Sequence, residues 1–156
     1  MSRATLAIRP LEDLPDAASR LSDWFVDEWP GYHRGRSLDD VASRFRLVPD
    51  VQQTLIAEMD GELVGTVAVR GPWEAAPEIS PPWIGGLFVV PGRRGEGIGM
   101  ALVEAAVACA ARLGHDSAHM AVRVDPASYL NRGWERIGKI VSGDESVTVL
   151  RIETDA

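Results

Sequence analysis

Cysteine, lysine and long apolar runs are nearly missing from this chain. Among its 156 residues, Cys109 is the one cysteine and Lys139 the one lysine. A lone cysteine excludes a disulfide within the chain and any metal site built from several cysteines. No apolar run approaches the roughly 18 residues that a membrane-spanning helix needs. The first residues resemble the start of a strand and not a secretory signal, so we expect a cytoplasmic protein that does not act on a membrane.

The balance of charge also excludes some functions. The formal net charge is −7, and nonspecific nucleic-acid binding depends on neutralising phosphates with basic side chains, so we expect no nucleic-acid partner. An acidic chain is better suited to a cationic ligand such as an amine. The three histidines include no pair spaced four apart on one predicted helix, so we expect no metal. The length predicts one domain over residues 1–156.

A glycine-rich turn is the most informative feature that is present. A β-prone apolar run stops at Pro91, two arginines follow, and Gly95, Gly97 and Gly99 lead into an Ala-rich helix predicted over residues 100–113. The free N–H groups and the positive dipole end of a helix N-terminus form an anion site, and glycine lets a phosphate approach the backbone. The pattern therefore predicts a phosphate-bearing ligand, the alternative being a turn that binds nothing.

The glycine spacing does not fit two common phosphate-binding motifs. A dinucleotide-binding turn would need a third glycine at the position of Met100. A P-loop would need lysine and serine or threonine where Ile98 and Gly99 stand. Both motifs fail at residues on which their function depends.

Hydrophobic periodicity and turn signals predict a mixed α/β domain. The predicted order is β-α-α-β-β-β-α-β-α-β-β. The first helix is expected to start at a cap by Asp13 and the second to span residues 37–48, with a β-hairpin at Asp60-Gly61. The strands are expected at residues 5–8, 54–59, 63–69, 84–90, 118–124, 134–141 and 146–152, and the last helix at 127–132.

Two motifs resemble those of the GNAT family of N-acetyltransferases. The first, which resembles the family's acetyl-coenzyme A motif, is Leu87-x-Val89-x-Pro91-x-x-Arg94-x-x-Gly97-x-Gly99. The second, Tyr129-x-x-x-Gly133-Trp134, resembles the family's Tyr-x-x-x-Gly-Phe ending, although the segment before Tyr129 is shorter here. The resemblance implies a GNAT acyl-CoA N-acyltransferase fold, a mostly antiparallel sheet of six to seven strands flanked by about four helices.

The resemblance also implies a cofactor and several roles. The cofactor is acetyl-CoA, and the residues expected to bind it are Leu87, Phe88, Val89, Arg93, Arg94, Gly95, Glu96, Gly97, Ile98 and Gly99. The amide of Leu87 or Phe88 is expected to contact the thioester oxygen, beside a β-bulge that Gly85-Gly86 would permit. Tyr129 is expected to be the general acid, with Ser128 as a substitute donor and simple packing of the Tyr129 ring as the alternatives.

The general base and the acceptor pocket are less well defined by the sequence. Candidate bases are Asp27, Glu28, His33, Glu74, Glu78 or a water chain, whereas His115 and His119 are interpreted as structural. The acceptor pocket is predicted from Trp29, Tyr32, His33, Trp73 and Glu74, with Trp24 and Trp83 nearby; aromatic and acidic groups suit an ammonium. We expect direct acetyl transfer to a primary amine of a small molecule. A protein amine as acceptor, a non-catalytic acyl-CoA-binding module and a homodimer of the kind common in the family remain open.

Overall fold

The computed structural model describes residues 5–28, 52–123, 125–142 and 145–154, with the backbone alone at residue 142. The second predicted helix, over residues 37–48, lies outside these ranges. So do Trp29, Tyr32 and His33 of the predicted acceptor pocket. None of the described helices is long and apolar enough to cross a membrane.

Seven strands in the described residues form one sheet, in the order β1-β2-β3-β4-β5-β7-β6. Every neighbouring pair is antiparallel except β4 and β5, which are parallel. The predicted fold class is therefore confirmed. The strands are β1 Leu6–Pro10, β2 Gln53–Met59, β3 Glu62–Arg70, β4 Trp83–Val89, β5 Ser117–Val122, β6 Glu135–Ser142 and β7 Glu145–Glu153.

The described residues contain three α-helices. They are α1 Ala17–Glu28, α2 Ile98–Arg112 and α3 Ala127–Leu130. Helix α2 begins two residues before the predicted start at 100, so Gly99 lies in its first turn. Gly114 follows it with a φ of +93°, as the glycine after a helix commonly does.

The predicted cap of the first helix at Asp13 is wrong. Leu11–Asp13 instead form a short 3₁₀ turn, and α1 starts at Ala17. The reason is Pro15, because the residue before a proline is disfavoured in the helical region. Leu14 accordingly has φ −143° and ψ 66°, which separates the 3₁₀ turn from the helix.

The two long helices pack on opposite faces of the sheet. Leu102 and Ala106 of α2 are buried against one face. Phe25 of α1 is buried with Ile56 and Phe88 on the other. Trp134 lies in the same core as α2, so α3 and the turn after it belong to the α2 face.

A β-bulge and a divergence of two strands shape the middle of the sheet. Thr66 pairs with Phe88 and Ala68 with Gly85, so Gly86 and Leu87 stand opposite a single residue of β3. Gly86 has a φ of +62°, and a Cβ there would lie 2.6 Å from a guanidinium nitrogen of Arg70. The predicted bulge is confirmed.

Strands β4 and β5 pair only at Trp83 with His119 and at Ile84 with Met120. Beyond Ile84 the backbone of β4 on this side has no partner in β5. The two strands therefore leave a gap along the segment from Gly85 to Val89, next to the bulge.

Candidate active site

The glycine turn presents bare backbone to open space. Gly95 and Gly97 have φ values of +84° and +85°, which L side chains rarely adopt, and a Cβ at either would meet none of the described residues within 4 Å. Gly97 is the N-cap of α2, and no side chain of the described residues caps the helix. The first N–H groups of a helix have no partner within the helix, so the site is suited to an anion.

A cavity of about 310 Å³ lies between the end of β4 and the start of α2. Nine of the ten residues predicted to bind the cofactor line it, and Glu96 is the exception. Glu96 instead has its carboxylate 3.8 Å from the guanidinium of Arg93. The lining residues are Glu28, Leu87, Phe88, Val89, Arg93, Arg94, Gly95, Gly97, Ile98 and Gly99.

Arg94 connects three parts of the cavity wall. Its Nε donates a hydrogen bond of 2.8 Å to the carbonyl oxygen of Val89, and its Nη2 lies 3.4 Å from the carboxylate of Glu28. Its guanidinium carbon is 5.4 Å from the ring centroid of Phe88, which stacks on Trp24 at 5.0 Å. Because both charged groups are substantially exposed, the ion pair contributes little to stability. Its importance is that Glu28, a candidate base, is already paired with Arg94.

Tyr129 lies on α3, outside the lining of this cavity. The N–H of Ala127 donates to Oδ1 of Asp125 at 3.0 Å, which fixes the start of the helix. The ring meets Trp134 edge to face with centroids 6.4 Å apart. Burial raises the pKa of the Tyr129 phenol above its ordinary value near 10, so the phenol stays protonated at neutral pH.

Of the aromatic residues predicted near the acceptor pocket, Trp83 lies in a small core on the sheet face opposite α2. Trp83, predicted as a pocket wall, is only 5% exposed and packs with Ala76 and Val149. Successive side chains of β4 point to opposite faces of the sheet, and that of Trp83 points into this small core. Trp73 packs edge to face on Trp83 at 4.9 Å, and Glu74 is exposed beside it.

His119 is a buried residue that the sequence interpretation set aside as structural. It is 7% exposed, and its ring centroid lies 5.5 Å from that of Trp83. The alternation of β5 could have indicated its position, because Ala118, Met120 and Val122 face α2 and the residues between them face away. No group of three or more metal-binding side chains occurs in the part of the chain that the structure describes.

The family model that describes the acetyltransferase (GNAT) family matches residues 18–133 of this chain. The match covers the bulge, the glycine turn, α2 and Tyr129. The chain belongs to the GNAT acetyltransferase family. It is therefore an acyltransferase, as the sequence motifs predicted, and its cofactor is acetyl-CoA.

Solved structures of GNAT acetyltransferases share this fold. An aminoglycoside 6'-N-acetyltransferase complexed with coenzyme A is 17% identical with a TM-score of 0.73, over 94% of this chain and 96% of that one. The aminoglycoside 6'-N-acetyltransferase from Enterococcus faecium has the same identity and coverage and a TM-score of 0.71. A probable acetyltransferase from Staphylococcus epidermidis is 20% identical over 96% and 99%, with a TM-score of 0.68. Among curated protein sequences, none matches significantly.

The cavity fits the cofactor of the GNAT family. The open space at Gly95 and Gly97 is where a pyrophosphate could approach the backbone, and a Cβ at Gly97 would project into it. The glycines and the start of α2 would hold the pyrophosphate, and Leu87 to Val89 the pantetheine arm. The bound cofactor would supply an acetyl thioester, an activated carbonyl that an amine can attack.

Proposed function

We propose that this GNAT protein transfers an acetyl group from acetyl-CoA directly to a primary amine of a small molecule. The main support is that the cavity borders the segment of β4 that has no partner in β5. The cavity is lined by Leu87, Phe88 and Val89, which lie past the last residue of β4 that pairs with β5. A linear thioester could thus lie along β4 with its phosphates at the glycine turn.

In this proposal the backbone of β4 stabilises the reacting carbonyl. An amide N–H of Leu87 or Phe88, beside the bulge at Gly86, would donate to the oxygen as negative charge develops on it. Such a donor held in place before the reaction is worth about 10²–10³ in rate. Tyr129 would then protonate the leaving thiolate, which its raised pKa permits because the phenol remains protonated over the whole neutral range.

Cys109 offers no alternative covalent route. It is 1% exposed in the middle of α2, and its Sγ donates to the side-chain oxygen of Gln53 at 3.1 Å. Burial raises the pKa of the thiol, so the nucleophilic thiolate is disfavoured. This supports direct transfer from the cofactor to the amine.

The acceptor is proposed to be a small cationic amine. The net charge of −7 favours the approach of a cation, and the carboxylate of Glu28 lies at the cavity. The structural neighbours include proteins named as aminoglycoside 6'-N-acetyltransferases, whose acceptors are small molecules that carry amines. Because their identity to this chain is low, these neighbours support a small-molecule amine as the class of acceptor but no particular compound. The alternative acceptor is an amine of a protein.

The test is the release of coenzyme A from acetyl-CoA, followed with a thiol reagent. The panel would contain aminoglycosides, polyamines, amino acids and lysine-containing peptides, each with and without the protein. We expect release that depends on one class of small amine. Release with peptides alone would contradict the small-molecule acceptor. If acetyl-CoA raises the melting temperature but no amine causes release, the proposed transfer is wrong.

A further inference from the structure

Two aromatic side chains on one face of the sheet form the last pair but one before β4 and β5 diverge. His119 of β5 stands beside Trp83 of β4, with Met120 and Ile84 forming the pair next to them. This is the face opposite α2, since Ala118 and Met120 point into the core that α2 covers. His119 therefore lies one residue pair behind the closed end of the gap in which the proposed reaction takes place.

Both rings have a buried nitrogen without a hydrogen-bond partner among the described residues. These atoms are Nε1 of Trp83 and Nδ1 of His119. A buried polar atom without a partner costs about 1–3 kcal/mol. Two such atoms on adjacent strands, beside a reaction site, indicate a polar role that the packing alone does not explain. Nδ1 of a neutral imidazole can accept a proton, whereas an indole N–H can only donate.

The surroundings of His119 keep its imidazole neutral. Its pKa is lowered from 6.5 chiefly by burial; a hydrogen bond to the backbone of Ser80 opposes the shift, and the charge of Arg151 adds to it. Arg151 is the direct partner of His119 on β7, and Glu135 stands opposite Arg151 on β6. On the other side, Arg70 of β3 pairs with Trp83. The guanidinium of Arg151 lies 3.8 Å from the carboxylate of Glu153 on the same strand, which offsets part of its charge.

We propose that His119 is the general base of the acetyl transfer, an assignment that rests on the proposed function. The ammonium of the acceptor gives one proton to Nδ1 of His119, through a water because Nδ1 is shielded from bulk solvent. The neutral amine then forms the C–N bond, the C–S bond breaks, and the thiolate leaves with its electron pair and takes a proton from Tyr129. The nitrogen of the new amide gives up its second proton, which returns through water to the Tyr129 phenolate and restores the acid. His119 returns its proton to solvent, and one net proton is released for each amide formed.

The kinetic test replaces His119 by asparagine. In His119→Asn the side-chain oxygen can still accept a hydrogen bond near the position of Nδ1, but it has no useful basicity. A general base contributes about 10²–10⁴ in rate, so we expect kcat to fall by about 100-fold or more, while the affinity for acetyl-CoA is unchanged. The acid limb of the wild-type kcat profile, which lies below pH 6.5, should disappear.

A matched control is available at His115. It also has a buried ring nitrogen without a partner in the described part of the chain, Nε2, but it precedes β5 and lies at the end away from the gap. His115→Asn should leave kcat and the acid limb unchanged. If His119→Asn keeps a wild-type kcat and the acid limb, or if both variants lose activity equally, the assignment is wrong.

A second readout does not need turnover. In ¹⁵N-histidine-labelled protein, NMR reports the protonation of each ring nitrogen, and His119 should be neutral at pH 7 with Nδ1 unprotonated. An imidazolium at pH 7, or a proton on Nδ1, would overturn the assignment. A wild-type protein that is inert to every amine overturns the proposed function, whereas either NMR result concerns the base alone.

Discussion

The cofactor side and the acceptor side of this acetyltransferase are built in different ways. The cofactor cavity comes mainly from one continuous stretch, residues 87–99, and its anion site consists of backbone held by glycines. The acceptor side, as we propose it, would instead depend on side chains that are far apart in sequence, such as Glu28 at the cavity and His119 beside Trp83. A binding site made of backbone is expected to lose affinity when the backbone conformation changes. A site made of side chains is expected to lose activity when one functional group is replaced.

The largest effect, a loss of acetyl-CoA affinity on the cofactor side, is expected when Gly97 is given a side chain. In Gly97→Val the Cβ would occupy the space where the pyrophosphate approaches, at a φ of +85°. We expect acetyl-CoA affinity to fall by about 100-fold or more, which corresponds to about 2.7 kcal/mol, measured by calorimetry.

Gly61→Val is the matched control for backbone strain. Gly61 has a similar φ of +79° and open space around it, but it lies in the β2–β3 hairpin. Both substitutions should cost about 1–2 kcal/mol of stability, and only the one at Gly97 should weaken binding. Equal affinities in the two variants would remove the glycine turn from the cofactor site.

Tyr129→Phe should affect catalysis and leave the cofactor site intact. Loss of the phenolic proton donor is expected to lower kcat by about 100-fold, with no change in the dissociation constant of acetyl-CoA, because Tyr129 does not line the cavity. The measurement is steady-state kinetics beside a binding titration. Ser128→Ala is the control, and loss of activity in that variant alone would make Ser128 the acid.

Arg94→Ala is expected to have a moderate effect. The variant loses a charge at the cavity and the hydrogen bond to the carbonyl of Val89. Because the backbone amides would carry much of the contact with the phosphates, we expect acetyl-CoA to bind about 3- to 10-fold more weakly, a cost near that of one hydrogen bond. A loss as large as that of Gly97→Val would show that charge, and not backbone shape, dominates on the cofactor side.

The smallest effect is expected in the pH dependence of stability. The pKa of His119 is lower in the folded protein than its ordinary value of 6.5, so the unfolded chain binds the proton more readily. The stability that the neutral ring provides is full above pH 6.5 and is lost as the pH falls through the folded pKa. Urea unfolding between pH 5 and 8 should therefore show a steeper acid loss for the wild type than for His119→Asn. Parallel curves would contradict a depressed pKa.

Much of the fold could be predicted because its signals are local. The Asp60-Gly61 hairpin, the bulge at Gly86 and the turn before α2 each depend on residues close in sequence. The predicted cofactor-binding residues are also close in sequence, and nine of the ten line one cavity. The start of α1 was misplaced because the restriction that Pro15 imposes on Leu14 outweighed the capping preference of Asp13.

The residues of the proposed acceptor side are harder to bring together from the sequence. The position of His119 beside Trp83 depends on the parallel pairing of β4 with β5, which are separated in sequence by the whole of α2. Neither residue has a motif around it that specifies the other. A tryptophan in a β-prone run is equally consistent with a pocket wall and with a core residue. The structure shows that Trp83 is buried in the core.

The most direct test of the central claim is to follow the acetyl group itself. Acetyl-CoA carrying ¹³C at the carbonyl would be incubated with the protein, the best amine of the panel and a lysine-containing peptide, and the carbonyl signal recorded by NMR. We expect the thioester signal to be converted into that of an amide of the small amine, with no label on the peptide or on Cys109. A thioester signal that persists while acetyl-CoA is bound, or an amide that forms on the peptide alone, would contradict it.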